Sequence, residues 1–358
     1  MTLPDLLRRR LANQRLMGPP FGQPAEAVAA LGAVQSQDYA AAKWALALRL
    51  PGASDAALDQ AFNDGAILRT HVMRPTWHFV APADIRWLLA LTAPRVERLI
   101  AQYDRQVGVD AAVRRRGQAV FAKALQGGRA LTRTELDQAL RAAGLSLAPL
   151  GRTHVVMHAE LDGLLCSGPR RGKQFTYMLL EERVPPAPTL GRDEALAELA
   201  WRYFSSHGPA LVSDFVWWSG LTAADAKQGL ALAGPRLACE GAGGQDYWFD
   251  PAQPAPRAMT PLAYLLPNYD EYTVAYAARD DFHDAQAFRQ PVARDNVPFA
   301  NVILLKGRVA GIWKRTIAKR AVTVETKFLQ PPSEAERRAV AAAAKRFGEF
   351  LGLPVVMA

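Results

Sequence analysis

One arrangement recurs along this chain and limits what it can fold into: helical stretches followed by β structure, met three times at a spacing of roughly 70–90 residues, too long and too degenerate for a solenoid. In the first copy Leu3, Leu6, Leu7 and Leu11 share one helical face, and Val28, Leu31 and Val34 form a second apolar stripe. Ser54 is placed as the N-cap of a helix reaching Phe62. A β run over Ile67–Val80 follows. It is broken at Arg74-Pro75-Thr76, because proline cannot donate to a ladder and marks a hairpin or bulge. A long helix then spans about Ala83 to Gln106.

The second copy begins with a helix near Gly117–Leu125 that stops at Gly127-Gly128. Thr132-Arg-Thr-Glu135 is a capping box for a second helix ending at Gly144, and a third runs from about Arg152 to Leu165. Gly168-Pro169-Arg170-Arg171-Gly172-Lys173 is a basic turn leading into the strand Gln174–Leu180. Three helices and a hairpin with a basic tip is the layout of a winged helix. After the linker Val184-Pro185-Pro186-Ala187-Pro188, the third copy places helices at Asp193–His207, Ser213–Trp218 and Thr222–Leu232, then a strand at Tyr247–Phe249. The end of the chain differs. Asn301–Leu305, Arg308–Ile317 and Ala321–Phe328 read as a β meander, with a terminal helix capped by Ser333 and Glu336.

Composition excludes several classes. The 14 Phe, 9 Tyr and 8 Trp, with half of all residues apolar, are too rich for a disordered chain. No apolar run reaches the ~18 residues of a membrane span. The N-terminus has no apolar core after its charges, so no secretory leader is expected. Cys166 and Cys239 are too few for a disulfide framework or a cysteine-based metal site. A soluble, cytoplasmic protein is expected. Its net charge of +9 is uneven: residues 1–188 hold 24 Lys/Arg against 16 Asp/Glu, and residues 189–358 hold 19 against 18. A basic half suits a phosphate-binding surface, or equally a set of solvated faces.

Phosphate loops, dinucleotide fingerprints and nucleophile elbows are absent. His154 and His158, four apart with Glu160 close by, read as polar packing more readily than as metal ligands, and no metal or other cofactor is expected. Gln35 follows Leu31 by four positions, which places it on the apolar stripe of its helix, with Gln37 at or beyond the helix end. Two neighbouring amides can orient one water; glutamines at helix ends are also ordinary. In Thr70–Phe79, His71, Arg74, Trp77 and His78 crowd one hairpin. Its tip suits entry into a nucleic-acid groove, and alternation also allows a core-facing Trp77. Asn268-Tyr-Asp270-Glu271-Tyr272 could supply a general base or serve structure, and Gly311-Ile-Trp313-Lys314-Arg315 reads as a strand with a basic face.

These pieces together resemble the AlkZ/YcaQ family of winged-helix DNA glycosylases. The resemblance rests on Gln35-Ser36-Gln37, Thr70–Phe79, Ala159–Gly163 through Gly172–Tyr177, Asp214–Gly220, Leu266–Tyr272 and Gly311–Arg315, met in family order. It implies an α+β fold of three tandem winged-helix domains around a basic channel plus a C-terminal β-barrel. The divisions expected are 1–112, 113–188, 189–258 and 259–358. It also implies catalysis by Gln35 and Gln37, and hydrolysis of the N-glycosidic bond of cationic N7-alkylated guanine, crosslinked bases included. The partner implied is double-stranded DNA carrying alkylated purines, with the protein nucleoid-associated when bound; no long apolar helix stripe demands a dimer, so a monomer is expected. DNA contacts are expected from His71, Arg74, Trp77, His78, Arg170, Arg171, Lys173, Trp313, Lys314 and Arg315, with His71–His78 as a hairpin that probes the duplex. Asp38 is the nearest carboxylate in sequence. A non-catalytic winged-helix regulator is the alternative, one that has no need of the glutamine pair.

Overall fold

The computed structural model describes residues 1–253, 262–282 and 300–358; the division expected at 258/259 lies outside them. Three successive stretches share one connectivity: helix, short strand, helix, helix, then the two strands of a hairpin. In the first these are Pro24–Leu31, Val34–Gln35, Tyr39–Ala47, Asp55–Asn63, Leu68–Val72 and Arg74–Val80. In the second they are Ala111–Leu125, Leu131–Thr132, Arg133–Ala142, Pro149–Leu161, Leu165–Ser167 and Thr176–Leu179. The third has Arg192–Ser206, a single bridge at Ala210, Val212–Ser219, Ala223–Ala233, Ala238–Ala242 and Gln245–Phe249. Each time the short strand pairs antiparallel with the last hairpin strand, which therefore lies in the middle of its sheet. Gln35 faces His78, Thr132 faces Thr176 and Ala210 faces Trp248.

Local chemistry sets the helix starts. The hydroxyls of Ser54 and Thr222 accept from the N–H groups of Ala57 and Asp225, and Thr132 forms a reciprocal box with Glu135. The expectation for Gln35 is corrected here. The helix Pro24–Leu31 ends at Gly32, whose φ of +79° suits glycine, so the chain leaves the helical stripe and Gln35 emerges on a strand. The joint between short strand and next helix also differs among the three units. Thr132 both ends its strand and caps its helix, and Ala210 adjoins the capping residue Leu211. In the first unit Ser36 and Gln37 are interposed between Gln35 and the cap Asp38.

The helix Ile85–Gln106 connects the first unit to the second. The second has its own core around Phe121, Leu136, Leu140 and Val155, whereas the first and third share one core with the C-terminal sheet. That sheet has five strands in the order Val355–Met357, Val322–Phe328, Arg308–Ile317, Val302–Leu305, Ala263–Leu266. Among the described residues it is a curled half-barrel rather than a closed ring. The helix Glu334–Leu351 covers it, with Phe347 edge-on to Trp44 and Trp313 at ring separations of 5.0 and 5.2 Å.

The hairpin of the first unit turns at Met73, one residue before the break expected at Arg74, in a left-handed conformation of φ +63°. Met73 is fully buried and donates its N–H to Thr92 Oγ1. Gly220 lets it come close: a Cβ there would lie 2.3 Å from the Met73 carbonyl oxygen. The turn is thus packed into the third unit.

Candidate active site

Gln35 is held at both ends. Its backbone N–H donates to Glu271 Oε1 at 2.9 Å, and its side-chain oxygen accepts from Arg74 Nη2 at 2.8 Å. Both Gln35 and Glu271 are buried. Glu271 also accepts from the Trp218 indole at 2.9 Å and meets His207 Nε2 at 3.3 Å. Burial would push its carboxyl upward. The hydrogen bond and attraction of His207, with the donors of Gln35 and Trp218, outweigh this and hold it below the usual carboxylate range. The site therefore draws on three parts of the chain: the first hairpin unit, the third unit, and the segment ahead of the C-terminal sheet.

Ser36 continues the ladder, donating its N–H to the Trp77 carbonyl at 2.8 Å. Gln37 is exposed, and its side-chain oxygen accepts from the Trp77 N–H at 3.3 Å. The two carboxamides thus attach to one strand, at Arg74 and Trp77. Because both partners can only donate, the oxygen ends of both amides face the protein. Asp38 is committed elsewhere: one oxygen caps the next helix through Ala41 N–H, and the other accepts from Asn268 at 3.4 Å. The carboxylate in touch with Gln35 is Glu271, 236 positions away in sequence.

The residues expected to touch DNA separate into two groups. His71 is buried against Glu160 at 2.5 Å, and His78 is fully buried with Nδ1 on the Thr76 carbonyl at 3.0 Å. Trp313 is 1% exposed and gives its indole N–H to the Leu266 carbonyl. A side chain enclosed in this way cannot reach a groove, so these three are corrected to interior roles, and the hairpin that carries the histidines does not project. Strand alternation turns Trp313 inward and Lys314 outward. Lys173, Arg171 and Lys314 are exposed, and Arg170 and Arg315 partly so. Arg171 reaches Glu135 at 2.7 Å, Arg170 reaches Asp59 at 3.2 Å and Arg315 reaches Asn301 at 3.2 Å. Trp77 is partly buried, with the Arg69 guanidinium 4.3 Å from its ring centroid. His154 and His158 both bond Asp104, at 2.6 and 3.0 Å, and no cluster fit to hold a metal occurs among the described residues.

Burial, and next the charge of Arg74, lower His78 to about 3, so the ring is neutral at ordinary pH. The unfolded ring titrates near 6.5, so between these values the unfolded chain binds more protons. Stability is accordingly expected to fall as pH drops from about 6.5 towards 3. Thermal midpoints between pH 7.5 and 4 should show a shallower decline for His78→Gln than for the unmodified protein. Equal slopes would remove His78 as the cause.

A family model described as DNA glycosylase AlkZ-like matches residues 28–350. The chain belongs to the AlkZ-like DNA glycosylase family. It is accordingly an enzyme, a hydrolase of N-glycosyl bonds acting on DNA. It is 25% identical over 331 residues to an interstrand DNA cross-link repair glycosylase of Streptomyces sahachiroi, an alignment covering 87% of each protein. The solved structure of Streptomyces sahachiroi DNA glycosylase AlkZ superposes on the whole chain with a TM-score of 0.78 at 21% identity, covering 100% of both chains. The AlkZ-like fold is therefore shared, and the reading as a non-catalytic regulator draws no support. No described helix is long and apolar enough to cross a membrane.

Proposed function

We propose that this AlkZ-like glycosylase hydrolyses the N-glycosidic bond of cationic N7-alkylated guanine in double-stranded DNA, guanines of interstrand crosslinks included. Gln35 and Gln37 are its catalytic residues. The observation that carries this reading is the anchoring of both carboxamides on one strand, at Arg74 and Trp77, in a chain of this family. The relative named for interstrand cross-link repair supports the crosslink part. The three repeated units are read as winged helices with the divisions 1–112, 113–188, 189–258 and 259–358, arranged around a basic channel. Arg170, Arg171, Lys173, Lys314 and Arg315 supply phosphate contacts. The protein acts as a monomer, without a cofactor, in the cytoplasm, where it joins the nucleoid on binding DNA.

Amides suffice because the substrate is already activated. Alkylation at N7 makes the base cationic, so the electron pair of the C1′–N9 bond leaves with the base and neutralises it. Water then adds to C1′ and releases its proton to solvent. An amide is no base, so its work is to place that water and to stabilise charge growing on the sugar. Each carbonyl oxygen keeps a second lone pair beyond its bond to Arg74 or Trp77, and each amide keeps its N–H pair. Unmodified purines lack the positive charge and are left intact.

The test is an excision assay on three duplexes: one with 7-methylguanine, one with an N7-linked interstrand crosslink, one unmodified. Base release is expected from the first two alone. Release from none of them would end this reading, and release from the unmodified duplex would end the substrate class.

A further inference from the structure

Arg74 has the character of a DNA-binding arginine in the sequence, yet its position gives it other work. It is partly buried, and its Nη2 lies 2.8 Å from the side-chain oxygen of Gln35. The opposite charge, Glu271, sits 2.9 Å from the backbone nitrogen of the same residue. Gln35 is thus gripped by a cation at its carboxamide and an anion at its main chain. The two groups come from segments far apart in sequence, the first-unit hairpin and the helix Glu271–Val274.

The consequence concerns which end of the amide is free. A guanidinium offers only donors, so the amide must turn its oxygen to Arg74 and its two N–H groups away. A free glutamine amide would turn over between its two faces, and half of its population would present the wrong end. We propose that Arg74 is a positioning residue: on a main chain held by Glu271, it fixes the carboxamide of Gln35 in one of its two orientations, with the N–H pair turned away from the guanidinium. This rests on the catalytic role given to Gln35 above. Arg74 then contributes to the rate of the chemical step and little to DNA affinity. The outward N–H pair in turn holds the oxygen of the attacking water near C1′, and the second lone pair of the carbonyl oxygen is left for the charge growing on the sugar.

Burial lowers the guanidinium of Arg74 from its usual range, and Glu271 offsets this only in part.

A double-mutant cycle on the full chain tests this, using Arg74→Met, Arg74→Lys, Gln35→Ala and Arg74→Met with Gln35→Ala. Single-turnover release of 7-methylguanine should fall roughly 10- to 100-fold in Arg74→Met, the scale of one charged hydrogen bond. The dissociation constant for DNA and its salt dependence should stay as in the unmodified protein, and Arg74→Lys should recover part of the rate. In the Gln35→Ala background the Arg74→Met change should cost nothing further. Additive losses, or weaker DNA binding with a shallower salt slope at an unchanged rate, would overturn the proposal. A second readout needs no substrate. The side-chain 15N–1H pair of Gln35, identified by its loss in Gln35→Ala, should be sharp in the unmodified protein, broadened in Arg74→Met and less broadened in Arg74→Lys. If the unmodified protein releases no base, the catalytic reading fails. An unaltered pair in Arg74→Met overturns the positioning role by itself.

Discussion

Release of 7-methylguanine from alkylated duplex DNA is expected to fall by roughly 10²–10³-fold in Gln35→Ala, and to background once Gln37→Ala is added. The magnitude is that of losing a preorganised dipole at developing charge. The geometry also says why these variants should fold. Glu271 is satisfied by the backbone N–H of Gln35, which alanine retains, and Gln37 is already exposed. Arg74 loses one partner but remains only partly buried. DNA affinity should therefore change less than about twofold, because neither amide supplies phosphate-binding charge. Excision at the unmodified rate by the double variant would take both glutamines out of the mechanism.

Asp270→Ala should lower unfolding free energy by about 3–5 kcal/mol, the cost of stranding a buried charge. Asp270 is fully buried, and its two oxygens take Arg49 Nη1 and Nη2 at 2.9 and 3.0 Å. Arg49 is itself 1% exposed. Without Asp270 the guanidinium keeps only neutral partners, the oxygens of Gln14 and Ala45. Asp270 also receives the Tyr272 N–H and so shapes the turn that presents Glu271 to Gln35. Activity should fall with stability. Replacing both partners, Arg49→Met with Asp270→Leu, should recover much of the stability, since no charge is then left buried. Urea unfolding measures both. A loss below about 1 kcal/mol in Asp270→Ala would show that solvent or the chain relaxes around Arg49.

Local signals carried the fold a long way. The caps at Ser54, Thr132, Thr222 and Ser333 are readable because a capping hydroxyl and its partner lie within three residues. What escaped is what depends on distance or on very short elements. A two-residue strand such as Val34–Gln35 has no period, so the spacing from Leu31 to Gln35 reads as helix although Gly32 ends the helix in between. The hairpin Thr70–Phe79 was legible as a hairpin. That its turn is enclosed by Gly220 and Thr92 required the third unit to be in place. The glutamine pair was recognisable through resemblance alone, since an amide has no pattern that separates a working one from a surface one. The segment Asn268–Tyr272 reads as a general base or as a structural element, and no sequence rule ties position 271 to position 35. Arg74 and Trp313 carry residue types suited to DNA contact and are drawn inward by pairing and alternation.

The three units differ where strand passes into helix. Two make the join without spare residues, while the first lets Ser36 and Gln37 intervene before Asp38. Two residues of slack, at a joint the scaffold uses three times, separate the unit to which we assign the chemistry from its two siblings. An active centre of this kind could be gained or silenced by a single short insertion or deletion, with the framework around it unchanged.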